Sequence, residues 1–537
     1  MDRRVVLLLV LVAVFAACMF FWKLGTNAVS DTDEATHAMV TRSMVENGDV
    51  LSLRIMGENY FRKPPLAFWL RAGAVVVFGE NEFALRLFSA LAGVGTTLLL
   101  AWWAWLLTRK WFAPFFVGVV FPLLPITLIH TFRHGDTDGI LIFLLTLTAF
   151  LLWRSLHRPL YLVWAAAILA LAVMTKSAGA IVVPAAFAVA LLITRAWPYR
   201  WKHVLSALGV FLAIAAPWHI YETLRFGGTF WGEYLGYHII SRVTSVIAVS
   251  SQTHGPLWYI HAAEKGMFPW SWLIVPATLF ALFRFFRTKE ERTTLAFFLS
   301  WGFGTILLYS FAETKLDWYI APAYPAFLLL IVLMVAAWCS LPRWCVWITL
   351  GTLALLGARA LYLFRTGVPN AFPFSAYGFR ISVLLTGLLC GAIAVVLILL
   401  SRRMHLSFWR LCLLGAGAPL LIVSVQTWRG YLHAMPESPF RVFRNAIVAA
   451  QPHADVYLFP IGFYVRPITH WYLIGAQSER QLTPLKENLD ALRATIQNDP
   501  GTYVIAEQTT AFPDDIAARL QFIVRKPTLA LYRILSE

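Results

Sequence analysis

Uninterrupted apolar runs set the first limit on what this chain can fold into. Val5 to Trp22, Ile320 to Trp338 and Ile381 to Leu400 each pass without a charged side chain. Each is about the ~20 residues a helix needs to cross a hydrocarbon core. The runs are continuous and do not alternate, which excludes a membrane β-barrel. Of the 537 residues, 59% are hydrophobic and 13% charged, against about 25% charged in a soluble domain. The pattern predicts a polytopic α-helical membrane protein.

About thirteen spans are expected, at 5–22, 83–107, 111–131, 139–153, 160–174, 178–194, 203–218, 270–283, 293–311, 318–338, 344–364, 379–400 and 408–427. The net charge of +16 would suit a nucleic-acid ligand if the cations formed one surface. They do not. With the N-terminus inside, alternate turns collect Arg3, Arg4, Arg109, Lys110, Arg154, Arg158, Arg195, Arg200, Lys202, Arg284, Arg287, Lys289, Arg292, Arg343, Arg402, Arg403 and Arg410. Those turns hold only Asp2, Glu290 and Glu291 as acids. That asymmetry is the positive-inside pattern, so the charge marks topology and argues against nucleic acid. The first span has a basic start but no small-residue cleavage site between Cys18 and Leu24, and reads as an anchored helix. All five cysteines lie in or beside spans, so no outward disulfide framework or thiol metal site is expected.

Three large pieces then face outward: 23–82, 219–269 and everything after Trp428. In the first, Ser30-Asp31-Thr32-Asp33 opens a helix over Glu34–Glu46 that Asn47-Gly48 stops. Ala35, Ala38, Met39 and Val45 give it an apolar face suited to the membrane interface. A second interfacial helix is expected from Pro64-Pro65, with Phe68 and Trp69 at headgroup depth. Two domains follow: a membrane domain over 1–428 and a small outward α/β domain over 429–537. The latter has strands near 456–459, 503–506 and 529–534, and a helix over 482–497.

Carboxylates concentrate on the outward turns, at Asp31, Asp33, Glu34, Asp136, Asp138, Glu222, Glu233, Glu313 and Asp317, with none mid-span. An ion-coupled transporter usually needs an ionisable group at bilayer depth, so the chemistry is expected at the outer face. Asp33-Glu34 can be read as acids complementing a helix dipole. Arg133-His134 with Asp136 and Asp138 is dense for so short a turn, the plain alternative being solvated headgroup contacts. Arg62-Lys63 before a helix start suits a phosphate or simple snorkelling beside lipid headgroups. Lys176 stands alone where the positive-inside rule would not put it. The outer histidines His37, His219, His254 and His261 show no ligand spacing.

In order, these pieces resemble the GT-C class of lipid-carrier-dependent glycosyltransferases, related to protein O-mannosyltransferases and most like the aminoarabinose lipid A transferase group. The resemblance is carried by Asp33-Glu34-Ala35 with Ala38, Tyr60-Phe61-x-Lys63-Pro64-Pro65-Leu66 with Trp69, and Phe83 to Ala90 including Arg86. Asp138 opening a span, Thr175-Lys176-Ser177, Ala216-Pro217-Trp218, Gly255-Pro256 with Pro269-Trp270, and Lys315-Leu316-x-Trp318-Tyr319-Ile320-x-Pro322 complete it. It implies a GT-C fold with about thirteen transmembrane helices, a polyprenyl-phosphate sugar donor and transfer outside the cytoplasmic membrane with inversion. The acceptor is lipid A, another glycolipid or, in the alternative, a protein. Asp33, with Glu34 beside it, and Asp138 would be the catalytic acids. Arg62, Lys63, Arg86, Lys176, Lys315 and Tyr319 would hold donor phosphate and substrate, where leaving-group charge develops.

Three motifs depart from that group. Arg62 stands where it has an acid implicated in metal binding, Thr36-His37 where it has Arg-Tyr, and Asp317 where it has proline. A divalent metal, on Asp33 and Asp138 if one binds, is the one cofactor left open. Two other classes compete with the enzyme: a transporter of lipid-linked sugars, disfavoured by the carboxylate placement, and a non-catalytic envelope assembly protein.

Overall fold

The third expected span is not one helix, and the reason is local. Pro122 turns the chain into a 3-10 segment, and Leu124, preceding Pro125, adopts extended φ/ψ of −64° and 135°, as a residue before proline tends to. In the computed structural model the run therefore divides into a helix over Phe112–Val120, a 3-10 turn over Phe121–Leu123 and a π turn over Thr127–Thr131. The structure describes residues 3–26, 29, 32–55, 57–240, 254–255, 257–312 and 315–337. It further describes 342, 344–345, 347–349, 351–352, 355, 424–425, 442–443, 445–447, 456–458, 482–484, 488–507, 510–526 and 529–535. The expected span at 379–400, and most of 344–364 and 408–427, lie outside the described residues.

The described helices are α1 (Arg3–Phe21), α2 (Thr32–Asn47), α3 (Leu66–Phe78), α4 (Glu82–Thr108), α5 (Phe112–Val120), α6 (Asp138–Ser155), α7 (Leu160–Lys176), α8 (Val182–Thr194) and α9 (Trp201–Trp231). They continue as α10 (Trp258–Gly266), α11 (Ile274–Arg287), α12 (Arg292–Ser310) and α13 (Tyr324–Ala336). Six of the described helical segments are long and apolar enough to cross a membrane, or seven if the bent pair across α10 and α11 is one span. The chain is a multi-pass membrane protein. Helix α9 runs past the expected end at Trp218. Pro217 is accommodated within it, and the non-helical residue is Gly227, at φ 53° and ψ −126°.

The chain forms two compact units: Met1–Trp22, Phe61–Ala67 and Arg86–Ala434 make the first, and Lys23–Tyr60, Phe68–Leu85 and Met435–Glu537 the second. In the first unit α6 packs on α7, α7 on α9, and α12 on both α8 and α13. Trp103 and Trp301 are fully buried, with ring centroids 6.4 Å apart.

In the second unit, Val40 and Met44 of α2 bury against Leu53, Tyr60 and Phe68. Phe68, expected at headgroup depth, packs in this cluster beside Leu53 and Tyr60, which flank the short β1–β2 ribbon (Arg54–Ile55, Glu58–Asn59). Trp69 donates its indole N–H to the Val50 carbonyl at 2.6 Å.

The same unit holds a mixed five-stranded sheet in the order β4-β3-β5-β7-β6. Its strands are β3 (Val456–Leu458), β4 (Leu482–Pro484), β5 (Tyr503–Glu507), β6 (Leu520–Lys526) and β7 (Leu529–Ile534). β3 pairs parallel with β4 and β5, and β7 antiparallel with β5 and β6. The helix expected over 482–497 begins later, at Leu489, because Asn488 caps it by accepting from the Asp490 and Ala491 amides. Residues 482–484 join the sheet instead.

Candidate active site

The broken third run sets the site. The π turn carries His130 to the start of α6, and the approach is close enough to demand glycine at 139. A Cβ there would lie 2.6 Å from the Thr131 carbonyl oxygen. The turn between them is tied down by Arg133, which donates to the carbonyls of Met19, Phe20 and Trp22 at 2.8, 2.9 and 2.6 Å. These are carbonyls at the C-terminal end of α1, where a cation is favourable. The acidic turn is thus held by the first helix.

Asp136 and Asp138 are not solvated headgroup contacts; they are 0% and 4% exposed. Burial of this kind is sustained only by partners. Asp136 Oδ1 accepts from the Thr137 amide at 2.6 Å and from Lys63 Nζ at 3.2 Å. Asp138 Oδ1 accepts from Lys176 Nζ at 2.7 Å. The isolated lysine of the sequence therefore has its reason in Asp138, which the end of α7 brings opposite the start of α6. His130 Nε2 lies 3.2 Å from Asp136 Oδ2 and 3.7 Å from Asp138 Oδ2. Its ring stacks on Trp318 at 3.8 Å between centroids. Both aspartates thus present an oxygen to one buried imidazole nitrogen. Lys176 Nζ also sits 5.4 Å over the Tyr319 ring, a cation–π distance.

The structure therefore joins Lys63, Asp138, Lys176 and Tyr319, all expected from the motifs, with Asp136 and with His130. His130 was not singled out from sequence, because it sits in an apolar run. The signal present was its spacing to Asp136 and Asp138 behind Pro122 and Pro125. Lys315 is buried and donates to the Ala312 carbonyl. Arg62 is exposed and Arg86 is buried at 2%. Asp33 and Glu34 lie in the first turn of α2, in the other compact unit, with Asp33 half-buried and Glu34 buried.

His130 Nε2 and one oxygen each of Asp136 and Asp138 lie within 4.8 Å of one another, a nitrogen and oxygen set that suits a divalent cation. The donor types fit. Holding a metal there would require His130 to give up its proton. Asp138, one of the two expected metal ligands, is in this set.

The family model described as dolichyl-phosphate-mannose-protein mannosyltransferase matches residues 62–221. An uncharacterized protein of Aquifex aeolicus is 30% identical over 328 residues, 59% of this chain and 62% of that one. The undecaprenyl phosphate-alpha-4-amino-4-deoxy-L-arabinose arabinosyl transferase of Yersinia enterocolitica is 26% identical over 325 residues, 58% of this chain and 56% of that one. The chain thus spans less than two thirds of the length of these relatives. Among solved structures, ArnT from Cupriavidus metallidurans bound to undecaprenyl phosphate matches with TM-score 0.70 at 18% identity, covering 97% of each chain. The two share a polytopic membrane fold.

Proposed function

We propose that this chain, a relative of the GT-C class lipid-carrier-dependent glycosyltransferases, moves a sugar from a polyprenyl-phosphate donor to an acceptor in the bacterial envelope. The acceptor is lipid A or another glycolipid, and transfer takes place at the periplasmic face of the inner membrane with inversion at the anomeric carbon. The observation that carries this reading is the buried pairing of Lys63 with Asp136 and of Lys176 with Asp138 around His130. Likeness to enzymes named for undecaprenyl-phosphate-linked aminoarabinose supports the donor class.

A lysine ammonium has three N–H donors. Lys63 and Lys176 can therefore keep their aspartates and still donate to a phosphate, where the leaving group gathers charge as the glycosidic bond breaks. Asp136 and Asp138 hold the two ammonium groups at fixed positions in advance, and His130, stacked on Trp318, fixes the carboxylate oxygens turned away from the lysines. Arg62, Arg86, Lys315 and Tyr319 extend the donor site. Asp33, with Glu34 beside it, organises the acceptor or takes its proton. A lipid A phosphate is already anionic and needs no base, whereas a sugar, serine or threonine hydroxyl needs one. A divalent ion on His130, Asp136 and Asp138, when bound, would add Lewis-acid stabilisation of the departing phosphate. We assign residues 1–428 to a membrane domain with about thirteen spans and residues 429–537 to a periplasmic α/β domain.

Mass spectrometry of envelope lipids from cells making the wild-type chain or Asp33→Asn tests the proposal. A sugar-sized mass on lipid A or another glycolipid is expected with wild type only. A mass on exported proteins alone would replace the glycolipid acceptor by a protein. No difference in either pool would overturn the enzyme reading.

A further inference from the structure

A cavity of about 550 Å³ opens at the other end of α6 from the acidic cluster. It lies between α6, α7, α8 and α9, with the turn after α8 at one end. Leu152, Ala166, Leu169, Phe187 and Leu192 are among its walls, and Arg195 is the one charged residue lining it. Thr148 and Leu152 stand about 15 and 21 Å along α6 from Asp138, at ~1.5 Å per residue. The cavity is therefore separate from the site that would hold the donor phosphate. Leu192 and Trp197, at its edge, are 77% and 67% exposed, so it opens to the surroundings of the helices. In a membrane protein those surroundings are lipid.

Arg195 is exposed and has no side-chain hydrogen bond or ion pair among the described residues. It occupies the left-handed region, at φ 52°. Arg200 follows in the same turn and Lys202 in the first turn of α9, and Trp197 packs edge-on against Tyr199. An apolar slot with an aromatic edge and a cation at its mouth matches a lipid whose chain enters the slot and whose headgroup is anionic. We infer that the cavity binds an anionic glycerophospholipid of the adjoining leaflet, one acyl chain between α7 and α8 and the phosphate on Arg195. Such a lipid would couple the charge of the leaflet to the packing of α7, the helix that carries Lys176.

The full-length protein, purified in detergent and reconstituted in phosphatidylcholine nanodiscs with or without phosphatidylglycerol, tests this. Bound lipid is identified by native mass spectrometry. Wild type is expected to retain phosphatidylglycerol preferentially. Arg195→Gln should lower that preference roughly fivefold, the equivalent of ~1 kcal/mol for one basic residue near an anionic surface, and Arg195→Lys should restore most of it. Ala166→Phe, which fills the slot from α7, should reduce retention of both lipids. Equal retention of the two lipids by wild type, or a preference unchanged in Arg195→Gln, would overturn the inference. Retention of a polyprenyl phosphate in the slot, displaced by Ala166→Phe, would also overturn it, by reassigning the cavity to the donor's isoprenoid.

Discussion

Two ion pairs of equal length mark the two compact units of this protein. Lys176 Nζ lies 2.7 Å from Asp138 in the membrane unit, and Arg493 Nε lies 2.7 Å from Asp515 beside the sheet. The aspartate of the first keeps 6% of its side-chain surface exposed, and that of the second 55%. The hydrogen bond from Arg493 holds the Asp515 carboxyl below its usual range, yet water and salt surround both partners. Exposed pairs are screened and contribute little. The buried pair forms part of a set, because Asp138 also faces His130, which faces Asp136, which faces Lys63. Removing one member leaves another charge without water. The same contact thus acts as surface decoration in one unit and as the organising feature of a site in the other.

The sharpest way to break this contrast is Lys176→Met. Removing one partner of a buried pair costs about 3–5 kcal/mol, and the 24% exposure of the lysine side chain places this one near the lower end. Sugar transfer should be lost as well, and thermal unfolding beside a lipid-product assay checks both. Next comes Gly139→Ala. Its methyl group meets the Thr131 carbonyl, and overpacking of this kind costs about 1–3 kcal/mol. Activity should fall although no charged group has changed.

The smallest effect belongs to Asp515→Asn. Its pKa is lowered, so its stabilisation is present above the ordinary carboxylate range and fades as pH falls. At neutral pH and high salt the melting curve and transfer should match wild type.

Much of the membrane unit was legible because apolar runs with few charges have one inexpensive solution in lipid, the helix. The expected spans at 5–22, 83–107 and 139–153 meet helices at Arg3–Phe21, Glu82–Thr108 and Asp138–Ser155 within one or two residues. Lys63, Asp138, Lys176 and Tyr319 were legible as a group through their motif order. His130 was not, because hydropathy averages over a window, and one histidine in an apolar run reads as part of the span. Pro122 and Pro125 were the local signal that the run breaks and can turn a side chain back on the next helix start. Asp136 and Asp138 were open to a solvated reading, because sequence places a carboxylate on a turn without revealing what packs over it. Phe68 shows the same gap in the other unit: an aromatic residue beside an apolar helix suits an interface or a core equally, and α2 decides.

The most direct test of the central claim is the affinity of the purified protein for undecaprenyl phosphate, measured for wild type, Lys176→Met and Lys63→Met, with melting curves to select conditions in which each remains folded. The account predicts tight binding by wild type and at least tenfold weaker binding by each variant, the loss of about 1.4 kcal/mol expected from one charge-assisted contact. Unchanged affinity in both folded variants would contradict it and leave the buried lysines a purely structural role.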